Sequence, residues 1–467
     1  MKLTLKDLDR LTLVESRHRE LLKGKTISGV STDSRKISAG AIFIALKGEN
    51  FDGHQFVEDT FREGAIAAIV DESFAGASDK SLFVVKDTTR ALGELARIYR
   101  MKFDIPILAI GGSNGKTTTK DMTTAVLSTS FNVLGTDGNL NNHIGVPQTL
   151  LRLEKKHQMA VIEIGTNHPG EIEYLCGILL PTYGLVTNIG HEHLEFFKSI
   201  EGVAEEEGAL FRFLKGNRKS LAFVNVDDPR IRLKARGVRR RVTYGLRTKR
   251  VDVWGHVGSV DESGCVTFEY MGKKPVKSGA VRLRIPGEHN AMNALAAAAV
   301  GLEFKVPPKR IQKALESFHP TVKRMELLQY GGVSIYNDTY NANPDSMVAA
   351  LRTLASAKVS GKRIAVLGDM RELGDQGKEE HKRVGREAAQ LGIDYLLTFG
   401  ELARSIHESA RMQGALHYDQ KNMLAEYLAE LVSPGDAVLV KGSRGMKMED
   451  IVTFLEKRLL STVVSHG

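Results

Sequence analysis

Residues 107–118 read Ile-Leu-Ala-Ile-Gly-Gly-Ser-Asn-Gly-Lys-Thr-Thr, an apolar run followed by a glycine-rich turn and a helix start. The apolar run 107–110 predicts a buried strand, and residues 118–127 predict a helix. The backbone N–H groups of such a turn and the helix N-terminus point toward an anion. Lys116 can then reach the terminal phosphates of a nucleotide, and the Thr117 hydroxyl can ligand Mg²⁺. The stretch therefore predicts a site for a nucleoside triphosphate.

This phosphate-loop pattern is incomplete. The full pattern has a glycine five residues before Gly115, where this chain has Ile110, while Gly111 and Gly112 lie inside the loop. The alternative is a plain glycine turn between a core strand and a helix. Because Gly-Lys-Thr falls at the helix start, we favour the nucleotide site, with these residues as contacts: Gly112, Ser113, Asn114, Gly115, Lys116, Thr117 and Thr118.

Length and composition restrict the class of protein. A chain of 467 residues is long enough for roughly two to four domains, and its hydrophobic content of 42% is ordinary for a soluble globular protein. Its apolar runs are far shorter than the ~20 residues that span a bilayer. Charges throughout residues 1–20 argue against a signal peptide, and two cysteines give no disulfide framework or metal spacing. We expect a reduced, cytoplasmic protein.

The net charge of +9 limits the choice of partners. A basic chain can bind nucleic acid, but the densest basic cluster, 236–241, contains no interleaved aromatic residue. A basic surface, or a site for phosphorylated and carboxylated substrates, accounts for the charge as well. We predict no nucleic-acid partner and take a monomer as the expected state.

The order of apolar runs predicts an α/β protein of three domains, at residues 1–86, 87–317 and 318–467. The first carries short strands at 41–46, 65–70 and 82–85. In the second, a helix at 88–99 precedes the phosphate-loop strand. Strands at 159–164, 184–187 and 221–225 alternate with helical segments, which is typical of a parallel sheet. Residues 250–284 predict a small antiparallel addition, followed by a helix at 291–301.

The third domain again alternates strands and helices. Strands are predicted at 333–336, 364–367, 395–399 and 437–440, and helices at 345–355, 378–390, 401–413 and 422–432. This pattern indicates a doubly wound, Rossmann-like sheet, in which ligands bind at the carboxyl ends of the strands.

Polar residues follow several predicted strands. Glu163 ends a buried strand, where a carboxylate is costly unless it is paired or bound to a metal. We interpret Glu163 as a ligand of the Mg²⁺ carried by the nucleotide; a salt-bridged carboxylate is the alternative. His191 and His193 are two residues apart, which is not a helical zinc pair. One of them can bind a second Mg²⁺ or contact the substrate. The alternative is that both are solvated loop histidines.

Two further loops are rich in side-chain amides. Residues 138–143 contain Asn139, Asn141 and Asn142, whose side-chain amides can form hydrogen bonds with sugar hydroxyls and carbonyls. The alternative is an ordinary turn, in which asparagine is also common. Residues 337–344 follow a strand and lead into a helix with Pro344 at its first position. Asp338 in this loop stands where a ribose or Mg-nucleotide contact is expected. An ordinary strand-to-helix loop is the alternative.

Together these segments resemble the Mur ligase family. The matching pieces occur in the family's order and cover nearly the whole chain: residues 32–35, 52–54, 112–117, 138–142, 163–170, 287–293, 336–344, 367–370 and 441–444. Three features resemble the branch of the family that uses D-alanyl-D-alanine: the asparagines of 139–142, Asn-His-Pro-Gly at 167–170 and Asn-Ala-Asn-Pro at 341–344.

The resemblance implies three domains, namely a small α/β domain for a UDP-linked substrate, a central ATPase domain and a Rossmann-like C-terminal domain. It implies ATP and Mg²⁺ as cofactors, and UDP-N-acetylmuramoyl-tripeptide and D-Ala-D-Ala as substrates. The tripeptide carboxylate would attack the γ-phosphate of ATP, and the dipeptide amine would then attack the resulting acyl phosphate. Sister ligases that add one amino acid, folylpolyglutamate-type ligases and a degenerate nucleotide-binding protein remain alternatives.

The resemblance also implies roles for individual residues. Catalysis would involve Lys116, Glu163 and His193, and metal ions would be held by Thr117, Glu163, His193 and Glu207. Asn293 would contact adenine, and Arg324 and Asp338 would contact phosphate and ribose. The remaining expected substrate contacts are Thr32, Ser34, Arg35, Asp52, Asn139, Asn141, Asn142, Asn341, Asn343, Lys441 and Ser443.

One position departs from the family pattern. Members of the family commonly carry a lysine in the helix after the His193 loop, which CO₂ converts to a metal-binding carbamate. The matching stretch here is Ala204-Glu205-Glu206-Glu207-Gly208, with Glu207 at the lysine position. We expect Glu207 to replace the carbamate, directly or through water, so that activity does not depend on bicarbonate. A solvated acidic helix face is the alternative.

Overall fold

The computed structural model describes residues 3–76, 79–272, 276–277 and 279–464. The chain forms two compact units: the first comprises Met1–Ile110, Phe131–Thr166 and Gly170–Gly184, and the second comprises Gly111–Ser130, Asn167–Pro169 and Leu185–Gly467. The strands belong to three β-sheets, and the predicted α/β class is confirmed. Among the helices described, none is long and apolar enough to cross a bilayer.

The N-terminal sheet lies in the first unit. Its region contains α1 (Leu5–Leu8), β1 (Glu15–Arg17), β2 (Val30–Ser31), β3 (Ile42–Ile44), α2 (Val57–Arg62), β4 (Ala67–Asp71), β5 (Ser81–Val85) and α3 (Thr88–Arg100). The strand order is β1-β5-β4-β3-β2, with β1 antiparallel to β5 and the other pairs parallel. Phe43, Val70 and Leu82 pack against Val57 and Phe61 of α2 in a buried core.

The central region carries the phosphate loop. It contains β6 (Ile107–Gly111), α4 (Lys116–Ser128), β7 (Val133–Gly135), α5 (Gly145–Leu150), β8 (Met159–Glu163), α6 (Glu171–Leu179), β9 (Tyr183–Val186), α7 (Leu194–Phe197), α8 (Ile200–Glu207), α9 (Ala209–Lys215), β10 (Leu221–Asn225), α10 (Pro229–Lys234), β11 (Arg240–Gly245), β12 (Val253–Val260), β13 (Cys265–Gly272), β14 (Val276–Lys277), β15 (Val281–Pro286), α11 (His289–Glu303) and α12 (Pro308–Glu316).

Strand pairing in this region follows the predicted division into parallel and antiparallel parts. In the first unit, β8 pairs in parallel with β6 and with β7. In the second unit, β10, β11 and β12 are parallel neighbours, whereas β13 pairs antiparallel with β12 and with β15. The antiparallel addition predicted for residues 250–284 is therefore confirmed for its described residues.

The C-terminal region of the second unit forms the third sheet. It contains β16 (Glu326–Tyr330), β17 (Val333–Asp338), α13 (Pro344–Ser356), β18 (Arg363–Gly368), α14 (Gly377–Gln390), β19 (Tyr395–Phe399), α15 (Arg404–Ala410), β20 (Ala415–Tyr418), α16 (Lys421–Leu431), β21 (Ala437–Lys441) and α17 (Glu449–Val464). The order is β16-β17-β21-β18-β19-β20, parallel except for β16. Asp338 at the end of β17 is opposite Lys441 at the end of β21, so both residues lie at the ligand edge of the sheet.

The structure departs from the predicted elements in a few places. Helix 401–413 is shorter, because α15 covers Arg404–Ala410 and Arg411 adopts a left-handed φ of 50° that ends it. The strands β1, β2, β7 and β11 were not predicted. In the third sheet, β16 and β20 were not predicted either. Both lie at the edges of the third sheet, where pairing with the neighbouring strand rather than local apolar periodicity defines a strand.

Candidate active site

The phosphate loop joins β6 to α4 through two glycines with left-handed backbone. Gly112 has a φ of 115° and Gly115 a φ of 78°. A Cβ on Gly112 would lie 2.2 Å from Thr187 Oγ1, and one on Gly115 would lie 2.6 Å from Asn293 Oδ1. Both distances are shorter than the closest contacts that Cβ atoms make, and both residues have a positive φ, so glycine is favoured at each position. The turn at residues 111–115 is therefore built for this backbone path.

The loop backbone is held by the segment that follows β9. The N–H of Ser113 donates to Asn188 O at 2.9 Å, and the N–H of Asn114 donates to Asn188 Oδ1 at 3.0 Å. Thr187 Oγ1 donates to Asn114 O at 2.6 Å. The first N–H groups of α4, which begins at Lys116, have no acceptor within the helix and carry its positive dipole end. This geometry suits a phosphate.

Lys116 lies over the loop. Its Nζ contacts the carbonyl oxygen of Gly112, lies 3.3 Å from Ser113 O and lies 3.4 Å from Glu192 Oε2. Thr117, the next helical residue, is buried. The predicted order of strand, glycine turn, lysine and threonine therefore has the expected local geometry.

Two buried carboxylates lie beside this loop. Glu207, at the end of α8, is 0% exposed, and its Oε2 accepts the N–H of Gly112 at 2.7 Å. Its other oxygen, and Oε1 of the buried Glu192, have no hydrogen-bond partner. Burial raises the pKa of Glu207 to about 8, although the positive charge of Lys116 opposes the shift. Unsatisfied carboxylate oxygens in a buried site are costly, so this pair is suited to a cation.

His193 lies next to these carboxylates. Its Nε2 is 3.9 Å from Glu192 Oε2, and its Nδ1 is 2.6 Å from Glu372 Oε2, although that carboxylate lies off the axis of a ring N–H bond. The nearby His193 lowers the pKa of Glu372. Glu192 and Glu372 were not predicted as site residues. Only the tertiary fold brings Glu372, 179 positions further along the chain, to this histidine.

Glu163 belongs to the first unit, at the end of β8, and is 1% exposed. Asn141 Nδ2 donates to Glu163 Oε1 at 2.8 Å, and the backbone N–H of Glu163 donates to Thr136 Oγ1. Oε2 has no hydrogen-bond partner. The buried strand-end position predicted for Glu163 is confirmed, and the structure adds Asn141 as its neighbour.

A preformed metal cage is not part of this site. Among the described residues, no three His, Cys, Asp or Glu side chains are placed to hold an ion by themselves. Mg²⁺ that arrives with a nucleotide takes most of its ligands from phosphates and water, and needs only one or two protein groups. In the second unit, the orphaned oxygens of Glu192 and Glu207 match that requirement in charge and donor type.

The predicted contacts for adenine, phosphate and ribose lie in the second unit. The amide of Asn293 is buried against the phosphate helix, where its Oδ1 accepts from Thr119 Oγ1 at 3.1 Å. The guanidinium of Arg324 stacks 3.8 Å from the ring centre of Tyr340, and its Nε has no hydrogen-bond partner. Asp338 Oδ2 already pairs with Lys441 Nζ at 2.6 Å, so a ribose contact at Asp338 would have to share this carboxylate.

The amide residues of the third sheet have structural partners. Asn343 caps α13 and also donates from Nδ2 to Asn114 Oδ1 of the phosphate loop at 2.9 Å. Asn341 O accepts from Lys441 Nζ at 2.8 Å. Ser443 Oγ accepts the N–H of Arg371 at 2.8 Å. These residues do converge at one sheet edge; their contact with a substrate stays a prediction.

The predicted UDP-substrate residues lie in the first unit. Thr32 Oγ1 accepts from Gln148 Nε2 at 2.8 Å, and Ser34 is partly exposed. Arg35 is exposed and paired with Asp33. The carboxylate of Asp52 accepts from the backbone and ring of His54, at 3.0 and 2.6 Å.

In the amide-rich segment of the same unit, Asn139 is exposed, and Asn142 Oδ1 accepts from the N–H groups of Ile144 and Gly145 in the turn that leads into α5. The structure thus gives Asn142 the role in a turn that the turn-cluster alternative anticipated. Its proposed contact with substrate stays a prediction, as do those of the other first-unit residues.

Asp345 links the histidine loop to the third sheet, and it was not predicted as a site residue. Its Oδ2 accepts from the backbone N–H of His191 at 2.7 Å and lies 3.0 Å from His191 Nδ1, while Oδ1 accepts from Arg383 at 2.8 Å. Burial raises the pKa of Asp345, but the hydrogen bonds from His191 and Arg383 outweigh burial and lower it. The hydrogen bond with Asp345 raises the pKa of His191.

Asp345→Asn should destabilise the protein most near pH 5.5. A lowered aspartate pKa stabilises the fold above its ordinary value of about 3.9, and a raised histidine pKa stabilises it below about 6.5. Between these limits both groups are charged, and the loss after allowing for partial exposure is about 1–2 kcal/mol. Urea unfolding at pH 3.5, 5.5 and 8.5 measures it, with the exposed Glu426→Gln as control. A deficit that is equal at all three pH values contradicts the prediction.

Comparison with known proteins places the chain in a family. The model of the Mur ligase middle domain matches residues 110–301, that of the Mur ligase glutamate ligase domain matches 323–444, and that of the Mur ligase family catalytic domain matches 26–100. The UDP-N-acetylmuramoyl-tripeptide–D-alanyl-D-alanine ligase of Bacillus subtilis (strain 168) is 38% identical over 441 residues, which is 93% of this chain and 94% of the relative. The chain belongs to the Mur ligase family. The enzyme of the same name from Escherichia coli (strain K12) is 37% identical, over 92% of this chain and 94% of its own.

Solved structures of Mur ligases agree with the fold. A crystal structure of MurF from Acinetobacter baumannii has a TM-score of 0.89 and 33% identity, and covers 98% of this chain and 99% of its own. The MurF ligase of Thermotoga maritima, solved in complex with ADP, has a TM-score of 0.83 and 28% identity, over 93% and 99% of the two chains. The likeness therefore extends over almost the whole Mur ligase chain.

Proposed function

We propose that this chain is an ATP-dependent ligase that joins D-Ala-D-Ala to UDP-N-acetylmuramoyl-tripeptide and releases ADP and phosphate. The product would be the UDP-muramoyl-pentapeptide used for peptidoglycan synthesis, and the enzyme would act as a monomer in the cytoplasm. The observation that carries the proposal is the glycine-framed phosphate loop with Lys116 beside buried carboxylates, in a chain whose full-length relatives bear this ligase name.

The residues of the loop account for the first half of the reaction. A carboxylate and a triphosphate repel each other, so the attack of the tripeptide carboxylate on the γ-phosphate needs positive charge at the phosphates. Lys116 and the N–H groups at the start of α4 would supply it, since they face the same loop. The γ-phosphoryl group moves to the carboxylate oxygen, and ADP leaves.

The second half forms the amide bond. The dipeptide amine attacks the acyl carbon, the C–O bond to phosphate breaks, and the amine loses a proton. Lys441, Ser443, Asn341 and Asn343 would lie near the dipeptide or the phosphates, since they share the ligand edge of the third sheet. Arg324, whose Nε has no hydrogen-bond partner and whose guanidinium group stacks on the Tyr340 ring, would bind a phosphate. Asn293 and Asp338 would contact the nucleoside.

Mg²⁺ fits the donor set of this site. Thr117, Glu163, His193 and Glu207 would hold it directly or through water, because the two glutamates each keep one buried oxygen without a hydrogen-bond partner. When bound, Mg²⁺ would neutralise the charge that builds on the transferring phosphoryl group. Thr32, Ser34, Arg35, Asp52, Asn139, Asn141 and Asn142 would contact the UDP-linked substrate.

The test is phosphate release from ATP and Mg²⁺ in the presence of UDP-muramoyl tripeptide, with D-Ala-D-Ala, with D-alanine or with no amine. We expect release that requires both substrates, and UDP-pentapeptide in the mass spectrum. The tripeptide should be offered with diaminopimelate and with lysine as its third residue. Equal turnover with D-alanine would favour a ligase that adds one amino acid, and nucleotide binding without any turnover would favour a degenerate binding protein.

A further inference from the structure

The imidazole of His193 is contacted on both edges by carboxylates from different parts of the second unit. Nδ1 lies 2.6 Å from Oε2 of Glu372, in the segment that follows β18, and Nε2 lies 3.9 Å from Oε2 of Glu192. Glu192 in turn lies 3.4 Å from Lys116 Nζ. A series of side-chain contacts thus runs from the segment after β18, through Glu372, His193 and Glu192, to Lys116 of the phosphate loop.

The backbone beside this pair is fixed by its own contacts. The N–H of Glu195 donates to Glu372 O at 3.1 Å, and Gln376 Nε2 donates to Lys198 O at 2.8 Å. A Cβ on Gly374 would lie 3.0 Å from Glu195 Cα, so the two segments are closely packed. Segment 372–376 is therefore held against segment 193–198.

Both residues of the pair have left-handed backbones. His193 has a φ of 47° and Glu372 a φ of 64°, a region that costs a residue with a side chain about 1 kcal/mol or more. An exposed ion pair contributes only about 0–1 kcal/mol, and nearly half of the Glu372 side chain is exposed. Stabilisation by the pair does not offset the strain at two residues, so the orientation of the His193 ring, rather than stability, explains the contact.

We propose that Glu372 is a positioning residue, which holds His193 with Nδ1 toward its carboxylate and leaves the Nε2 lone pair for the nucleotide-bound Mg²⁺. The inference rests on the metal role of His193 in the proposed function. A histidine ligand is generally oriented by a carboxylate or carbonyl at its other nitrogen, and the loss of that partner lowers metal affinity by about 10–100-fold. Here the partner comes from the third sheet, so the C-terminal region completes a metal ligand of the central region.

The first measurement is the affinity of the full chain for Mn²⁺ in the presence of ADP, monitored by electron paramagnetic resonance. The second is enzyme kinetics, which give kcat and the Mg²⁺ concentration at half the maximal rate. We expect Glu372→Ala to weaken Mn²⁺ binding at least tenfold and to raise the required Mg²⁺, with a smaller loss of kcat at saturating Mg²⁺. Glu372→Gln, which can still accept a hydrogen bond, should recover part of the affinity. Glu379→Gln, an exposed carboxylate on α14, is the matched control and should change neither quantity.

A double-mutant cycle with His193→Ala separates this inference from the proposed function. If Glu372 acts through the histidine, Glu372→Ala should weaken Mn²⁺ binding no further once His193 is removed. If His193→Ala lowers Mn²⁺ affinity and a folded Glu372→Ala does not, the positioning role is wrong and the metal role stands. If neither variant changes Mn²⁺ affinity, the metal role of His193 itself is wrong. Circular dichroism and thermal unfolding establish that each variant is folded.

Discussion

Lys116→Ala should lower the kcat of ligation by about 10³-fold while the protein remains folded. Lys116 is the only side chain of residues 111–118 that carries a positive charge, and its Nζ already lies at the loop carbonyls. Preorganised charges at a phosphoryl-transfer site are worth about 3–4 kcal/mol each, because little else stabilises the transferring group. Phosphate release under saturating substrates measures the loss.

The control for this variant is Lys215→Ala, which removes an exposed lysine of the same region on α9. It should keep the wild-type rate and thermal stability. Lys116→Met preserves the apolar stem of the side chain without its charge, and it should be as inactive as the alanine variant. A Lys116→Met enzyme that ligates within tenfold of wild type would refute the role of the lysine charge.

Glu207→Ala should lower kcat/KM by about 100-fold, the second large effect. Oε2 of Glu207 accepts the N–H of Gly112, and Oε1, which has no hydrogen-bond partner, is the oxygen that we expect to bind the cation. Alanine removes both oxygens. Glu207→Gln can still accept the Gly112 N–H, so it should keep the loop in place and lose only the charge offered to a cation.

Glu207→Lys tests whether this glutamate replaces a carbamylated lysine. In buffer depleted of CO₂ the variant should be nearly inactive, and bicarbonate should raise its rate, because CO₂ converts the amine to a carbamate anion with loss of a proton. The wild-type rate should be the same with and without bicarbonate. Glu205→Gln, an exposed neighbour paired with Lys234, is the control. A variant with the full wild-type rate and no response to bicarbonate would remove support for the replacement.

Much of the fold could be predicted because its signals are local. The apolar run 107–110 predicts a buried strand and the Gly-Lys-Thr motif marks a helix start, and β6 and α4 are found at these positions. Strands such as Leu221–Asn225 and Tyr395–Phe399 have the predicted bounds, since a buried parallel strand is apolar at nearly every position. The edge strands β16 and β20 lack that signal, and helix 401–413 was drawn too long.

The residues of the candidate site also fall into those that the sequence predicts and those that only the tertiary structure reveals. Sequence by itself determined the nucleotide loop, the buried carboxylate at Glu163 and the acidic residue at Glu207, because each occurs within a recognisable motif or at a recognisable offset from one. Only the tertiary structure decided that Glu192 and Glu207 share a buried cluster with Lys116, that Asp345 holds His191, and that Glu372 reaches His193. These pairings join residues up to 179 positions apart, and the physical reason is that side-chain chemistry is encoded locally, whereas the neighbours of a side chain are set by how sheets and loops pack.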